Sequence, residues 1–307
     1  IYVDNPDSPK SAVGCLGGWC FCVCEPNKQL ITKKQTKWFG LFPKDKKWEK
    51  LIKECYPDAE MNTRYAIKHD AVFDKEKLQS FVDNLPEGYE LKLIDSKVYD
   101  LIKKVDDDDV EYLIDWFDNK KQFLELGLGY AVIKDGEVVG GASTAYRFPK
   151  GIDIEIDILK KHRRKGLATA AGAKLILDCL ERGWRPTWDA ANMKSVHLSE
   201  KLGYTFNYKY HCFWISPIFF KTIKNPDKSK WESYCGKYET NCKDFKLKEV
   251  WMKDGDLYGR ADNEVRRNIK FKFYPIDLNV FGRRDGNAIV TFEKDSYIID
   301  DIVCKKI

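Results

Sequence analysis

Residues 154–168 read Ile-Glu-Ile-Asp-Ile-Leu-Lys-Lys-His-Arg-Arg-Lys-Gly-Leu-Ala. From Ile152 to Ile158 apolar and acidic residues alternate, the period-two pattern of a strand with one buried face. A basic loop follows, and Gly166 opens a helix whose first residues are Leu167 and Ala168. The first N–H groups of a helix lack intrahelical partners, and the dipole adds positive charge there, so the start suits an anion. Gly166 lets backbone approach that anion without interference from a Cβ. Lys160, Lys161, Arg163, Arg164 and Lys165 place charge where a pyrophosphate would sit. Ala168, Ala170, Ala171 and Gly172 let the helix lie close to a sheet. By itself Arg163-x-x-Gly166-x-Ala168 is a weak signal, because basic runs after strands commonly form solvated loops.

Working outward, Tyr89, Leu91 and Leu93 alternate as a strand, and Asp95 is placed to cap a helix over 97–104. Four successive aspartates, 106–109, precede a second helix bearing Val110, Leu113, Ile114 and Phe117. Asp135-Gly136 joins strands 129–134 and 137–146, a strong hairpin signal. After strand 152–158 come the helix 167–182, a short strand 185–191, a helix 193–202 and strands 204–208 and 211–215. The order, strand, two helices, three strands, helix, strand, helix, strands, on a largely antiparallel sheet, makes this α+β, not doubly wound α/β.

The segment 1–87 reads as mixed α/β, with a buried strand over 14–24, a helix through Trp48, Leu51, Ile52 and Cys55, and Asp74 capping another. Residues 88–222 form the central domain, 217–227 a linker. Residues 226–307 carry short alternating runs (246–252, 269–274, 288–292, 297–303) at hairpin spacing, predicting a small antiparallel β-barrel-like domain.

Composition narrows the classes. At 307 residues, 43% hydrophobic and 33% charged, the chain is globular. Its net charge of +5 is too small to demand nucleic acid, and no apolar run reaches the ~18 residues that span a bilayer. Neither nucleic acid nor membrane is expected as a partner; oligomeric state stays open. Ten cysteines without a disulfide framework or CxxC pair predict a reducing, cytoplasmic setting. Cys20, Cys22 and Cys24 share one strand face and are read as core, not as metal ligands; no metal is expected. The chain opens at Ile1 without an initiator Met, leader pattern or lipidation motif, so the numbering is read as beginning inside a longer product.

Arg163-x-x-Gly166-x-Ala168 resembles the acetyl-coenzyme A pyrophosphate loop of the GNAT N-acetyltransferases. Downstream, Trp188-Asp189-Ala190-Ala191-Asn192-Met193-Lys194-Ser195, then Leu198 and Lys201-Leu202-Gly203-Tyr204, stand where that superfamily has its second element. The phrasing of 166–204 is similar to the zwittermicin-resistance-type branch. Residues 231–257, with Trp231, Tyr234, Gly236 and Tyr238, resemble small β-barrel modules attached to serine β-lactamase-like hydrolases.

The resemblance implies a splayed sheet. Strands 152–158 and 185–191 part, and acetyl-CoA (coenzyme A) lays its pantetheine between them as an added strand. Asp157 and Ile158 would supply main-chain contacts, one N–H stabilising charge on the thioester oxygen. Arg163, Arg164, Lys165, Gly166, Leu167 and Ala168 would hold the pyrophosphate, with Asn192 and Ser195 as further contacts. Asn192 is also a credible helix N-cap, and Gly203 a helix C-cap. Acyl transfer needs a neutral amine, so a base must act. Glu155 and Asp157 are the candidates, read as lying on opposite faces so that at most one meets the acceptor; either also fits a solvated strand side. Many GNAT enzymes carry a Tyr seven residues after the Asn to protonate the leaving thiolate. That position here is Ser199, a poor acid, leaving catalysis to proximity, the oxyanion contact and water. His162, His197 and Tyr204 lie nearby with bland alternatives. The acidic run 106–109 either draws a polycationic amine or serves the helix dipole, and Trp116 and Phe117 line the acceptor cleft or the core.

The leading expectation is an acetyl-CoA-dependent N-acetyltransferase acting on a small-molecule amine by direct attack. The alternative is a catalytically reduced GNAT-fold CoA-binding module with a regulatory or assembly role. A third reading gives the last domain a ligand site through Trp231, Tyr234 and Tyr238, residues that also fit barrel core.

Overall fold

The protein is described from a computed structural model. It covers residues 1–307 apart from 17, 34–38, 58, 106–107, 217, 240–245, 263–267, 284–288 and 300–301, with backbone alone at 108–109 and 219–220. Two units emerge: Thr63–Tyr210, and Ile1–Asn62 with His211–Ile307. No helix among the described residues is long and apolar enough to cross a membrane.

The central unit runs β1 (Glu60–Ile67), α1 (Lys75–Asp83), β2 (Tyr89–Leu93), α2 (Ser96–Ile102), α3 (Asp108–Asp115), α4 (Lys120–Leu126), β3 (Gly129–Lys134), β4 (Glu137–Phe148) and β5 (Gly151–Ile158). It continues through α5 (Leu167–Glu181), β6 (Arg185–Thr187), β7 (Asp189–Ala190), α6 (Met193–Leu202) and β8 (Phe206–Ile215). Local chemistry sets these bounds. Asp74 accepts from Lys77 N–H, and Asp95 accepts from Lys97 and Val98 N–H, as N-caps do. Asp135 and Gly136 both take positive φ, the primed hairpin turn that Asp-Gly favours.

The main sheet has the order β6-β5-β4-β3-β2, antiparallel except where β6 runs parallel to β5. One face buries Ala171, Leu175 and Ile176 of α5 against Val132, Ile152 and Ile154. A second core gathers Val98, Ile102, Leu113, Ile114 and Phe123 from α2, α3 and α4 with Ala131, Ile133 and Val138. At Gly140, β4 passes close against β5. A Cβ there would lie 2.4 Å from the Asp157 carbonyl oxygen and 2.6 Å from the Ile158 Cα, with φ at +144. Gly140→Ala is therefore expected to cost about 2–4 kcal/mol in denaturant unfolding, through overpacking against backbone and the strained φ.

In the other unit, an antiparallel hairpin of Ser11–Leu16 and Trp19–Cys24 lies beside Phe39–Pro43, which pairs with the Ile215 end of β8. Trp48 and Ile52, on the Lys46–Cys55 helix, cover it. Among the described residues of 236–306, nine strands follow one another so that Ile269–Lys272 and Tyr274–Pro275, neighbours in the chain, form the two ends of a nearly closed barrel-like sheet.

The fold class is as expected, and several local readings are corrected. The predicted single strand 14–24 is a hairpin of Ser11–Leu16 with Trp19–Cys24, and the Gly17-Gly18 pair between them is a turn signal that the single-strand expectation passed over. That hairpin opposes Cys15 to Cys20, 4.1 Å apart at Cα and joined by a disulfide, which the cysteine spacing alone did not reveal. Cys20 and Cys22 are buried, but Cys24, at the strand end with positive φ, is exposed. The strand expected over 185–191 breaks at Trp188, and those expected at 204–208 and 211–215 are one strand, β8. Helix α4, capped by Asn119, was not anticipated. The run 297–303 is two strands, Ser296–Ile299 and Ile302–Lys306. Aspartates 106–107 lie outside the described residues, as does linker residue 217.

Candidate active site

β5 and β6 pair only at their first residues: Gly151 with Arg185, Ile152 with Pro186 and Asp153 with Thr187. Beyond Thr187 the chain leaves β5, and β7 pairs instead with β1, Asp189 opposite Ala66 and Ala190 opposite Tyr65. Among the described residues, no strand pairs with the β6-side edge of β5 from Ile154 onward. Thr187 marks the fork: its hydroxyl bridges the Ile152 carbonyl at 3.1 Å and the Asp153 carboxylate at 2.7 Å.

The Ile152 carbonyl faces that edge, so by the two-residue period the backbone groups of Ile154, Ile156 and Ile158 face it too. Two of the N–H groups there are taken by the carboxylates that precede them. Ile156 N–H donates to Glu155 Oε1 at 3.1 Å, and Ile158 N–H donates to Asp157 Oδ1 at 2.6 Å. Arg163 completes the edge, its Nε donating to the Ile158 carbonyl at 2.6 Å and its guanidinium pairing with Asp157 at 2.9 Å. Arg163 is thereby anchored to the strand end.

Asp153, Glu155 and Asp157, two residues apart in succession, share one face of β5; Glu155 and Asp157 do not lie on opposite faces as expected from sequence. Trp116, just beyond α3, donates its indole N–H to Glu155 Oε2 at 3.0 Å. Its ring lies 5.1 Å from Tyr146 and 5.9 Å from Tyr112. Tyr146 stands opposite Asp153 because a bulge after Thr144 shifts the register of β4. Across the fork, Arg64 donates Nε to the Asp189 carboxylate at 2.6 Å, and the Tyr210 hydroxyl donates to the other oxygen of that carboxylate.

Burial dominates the electrostatics. It pushes the Glu155 carboxyl up to about 7, against the hydrogen bonds from Ile156 N–H and Trp116, with Asp157 pushing the same way. It raises Asp153 to about 7 as well, opposed by the Thr187 hydroxyl and reinforced by Asp189. Tyr146 and Tyr210 are raised by the same desolvation and stay protonated. A carboxyl raised in the fold carries a proton that the unfolded chain releases between about pH 4 and 7. Its contribution to stability is therefore lost as pH rises through that window. Asp153→Asn keeps an oxygen for Thr187 and removes the buried charge, so it is expected to raise Tm more at pH 8 than at pH 5. Equal shifts at the two values would contradict this.

At the other end of β5, a short 3-10 turn (Lys160–His162) leads to Arg164 and Gly166, both with positive φ. Gly166 is the N-cap of α5, where no side chain accepts the first N–H groups of the helix, and a Cβ placed on it meets nothing within 4 Å. The helix mouth at Leu167 and Ala168 is open, a cradle fit for a phosphate. Lys165 donates to the Tyr89 hydroxyl at 3.1 Å, and that hydroxyl contacts His162 Nδ1 at 2.9 Å. Burial and the neighbouring lysines 161, 165 and 134 hold His162 below its ordinary value, so its ring brings no charge near neutral pH.

The structure does not gather every sequence candidate. Asn192 caps α6 by accepting from Ser195 N–H at 3.1 Å, and Ser195 accepts from the Trp188 indole at 3.0 Å. Ser199 is fully buried and donates to the Val196 carbonyl in its own helix. Tyr204 is core, its hydroxyl on the Pro186 carbonyl; His197 is exposed beside Glu200; Phe117 packs against Phe123. Trp231, Tyr234 and Tyr238 are buried in the barrel-like core. Asp153, Arg64, Tyr146, Asp189 and Tyr210 escaped the sequence reading. Only Asp153 had a local signal, its place in the alternation with Glu155.

Comparison with known proteins agrees with this geometry. The family model for GNAT acetyltransferases matches residues 1–213. An uncharacterized N-acetyltransferase, YdfB of Bacillus subtilis (strain 168), is 28% identical over 219 residues, which is 66% of this chain and 80% of YdfB. The crystal structure of a GCN5-related N-acetyltransferase-like protein from Streptococcus suis 89/1591 matches with a TM-score of 0.63 and 38% identity, covering 69% of this chain and 86% of that one. Acetyl transfer to an amine is the family's general reaction, and acetyl-CoA its usual donor. With well over half of its length matched, this chain belongs to the GNAT acetyltransferase family.

Proposed function

We propose that this chain is an acetyl-CoA-dependent N-acetyltransferase that acetylates a primary amine of a small molecule by direct attack in a ternary complex, with Glu155 as the base. The parting of β5 from β6 after Asp153 carries the reading, because it exposes backbone to a ligand at the point where half-buried carboxyls sit. Bound acetyl-CoA supplies the activated acetyl group. Backbone N–H groups of Leu167 and Ala168, with Gly166 and the exposed Arg164 and Lys165, would hold its pyrophosphate. The edge groups of Ile156 and Ile158 would bind its amide chain in strand fashion. A carboxyl titrating near 7 is matched to taking a proton from an ammonium near neutral pH.

The acceptor side favours a cation. Arg64 is paired with Asp189 and Arg163 with Asp157, which leaves Asp153 and Glu155 as the carboxyls without an ion-pair partner among the described residues of this cluster. Trp116 and Tyr146 present aromatic faces beside them. This supports a cationic, amine-bearing acceptor. We also assign residues 88–222 as the acetyltransferase domain and 226–307 as an appended module like those of β-lactamase-like hydrolases. Measuring thioester consumption against a panel of mono- and polyamines tests the reading: turnover supports it. Saturable acetyl-CoA binding without turnover would instead support a CoA-binding module, a reading to which the burial of Ser199 lends weight.

A further inference from the structure

Glu155 is held by two donors that differ in kind. One is Ile156 N–H on Oε1, a backbone group on the open edge of β5. The other is the Trp116 indole on Oε2, from outside the sheet. Any ligand that hydrogen-bonds along that edge competes for the first donor and leaves the second untouched.

We infer that Trp116 is the positioning residue for Glu155: its indole N–H keeps the carboxylate aimed at the acceptor side when a ligand takes the strand edge. This rests on the reading of Glu155 as the base. The indole is fixed in turn. Its ring is packed between Tyr112, one turn back on α3, and Tyr146 on β4, and α3 is seated by the Ser143 hydroxyl donating to the Leu113 carbonyl at 2.5 Å. A phenyl ring in place of the indole keeps an aromatic side chain at that position, removes the donor and gives up the volume of the second ring.

Other charges around Glu155 come from every side: Asp153 and Asp157 along β5, Arg64 from β1 and the Tyr146 hydroxyl from β4, with Asp189 of β7 paired to Arg64. Trp116→Phe changes none of them. Removing a donor to the charged carboxylate disfavours the ionised form. The acidic limb of kcat/KM should therefore move about one pH unit upward, with kcat at about pH 7 falling about fivefold and KM for acetyl-CoA unchanged. Because Asp153 titrates in the same range, the limb reports the pair, and the shift between variants is what counts.

The ligand-free protein gives a separate readout. Among the indole N–H signals in a ¹⁵N spectrum, the one that Trp116→Phe deletes should titrate near pH 7 in the parent and stay flat in Glu155→Gln. A moved limb and a titrating indole sustain the inference. An unmoved limb, or an indole signal insensitive to Glu155, overturns it. If Glu155→Gln is inactive while the Trp116→Phe limb is unmoved, the positioning role falls and the base survives. If Glu155→Gln turns over normally, both fall.

Discussion

Glu155→Gln is expected to lower kcat by roughly 10²–10⁴-fold, the range a positioned base contributes, while acetyl-CoA binding stays within about threefold. The amide is isosteric, and its oxygen can still accept from Ile156 N–H or the Trp116 indole, so the strand edge and the aromatic packing persist. The group lost is the one that burial holds near 7 and that can take the ammonium proton. Single-turnover thioester consumption with a saturating amine, across about pH 6 to 9, checks this. Near-parent rates at every pH would remove Glu155 from the chemistry. Asp157→Asn is the matched control. With Asp157 Oδ1 tied to Ile158 N–H and Arg163, its effect should fall on acetyl-CoA affinity more than on kcat.

Gly166→Trp is expected to weaken acetyl-CoA binding by about 10²-fold or more with little loss of fold. Two observations set the sign. Open space surrounds a Cβ at Gly166, so the new side chain strikes nothing in the protein and fills the helix mouth instead. The φ of +81 makes any L residue strained by about 1–2 kcal/mol, a modest fraction of a domain's stability. Calorimetric titration with acetyl-CoA, beside a thermal melt of the free variant, separates the two effects. Undiminished affinity in a folded variant would mean that the phosphates bind elsewhere.

How far the sequence could be read depended on the range of the interactions involved. Patterns that repeat within a few residues were visible: the alternation through Ile152, Ile154, Ile156 and Ile158, the caps at Asp74, Asp95 and Asn192, the Asp-Gly turn and the glycine at a helix mouth. The strand break at Trp188 was not, since its partner is a distant segment that local propensity does not reveal, and the hairpin in 11–24 was passed over because an apolar run on both sides of Gly17-Gly18 reads as one strand. The same applies at the site. Gly166 and Glu155 could be named from their own stretch and Trp116 as a residue of the acceptor cleft or the core, whereas Arg64, Tyr146, Asp189 and Tyr210 arrive from four separate elements, and no spacing along the chain relates them.

The amino-acid order by itself determined the α+β class, the strand–loop–helix that presents an anion cradle, and the carboxyls at the end of that strand, because each follows from periodicity, caps and glycine over short spans. Only the tertiary structure decided how far the face that Glu155 shares with Asp153 is shielded from solvent, what holds the carboxyl and how its proton affinity rises. Those properties are set by burial and by donors brought in from elsewhere in the chain, which exist only once the sheet has opened and Trp116 has packed beside it.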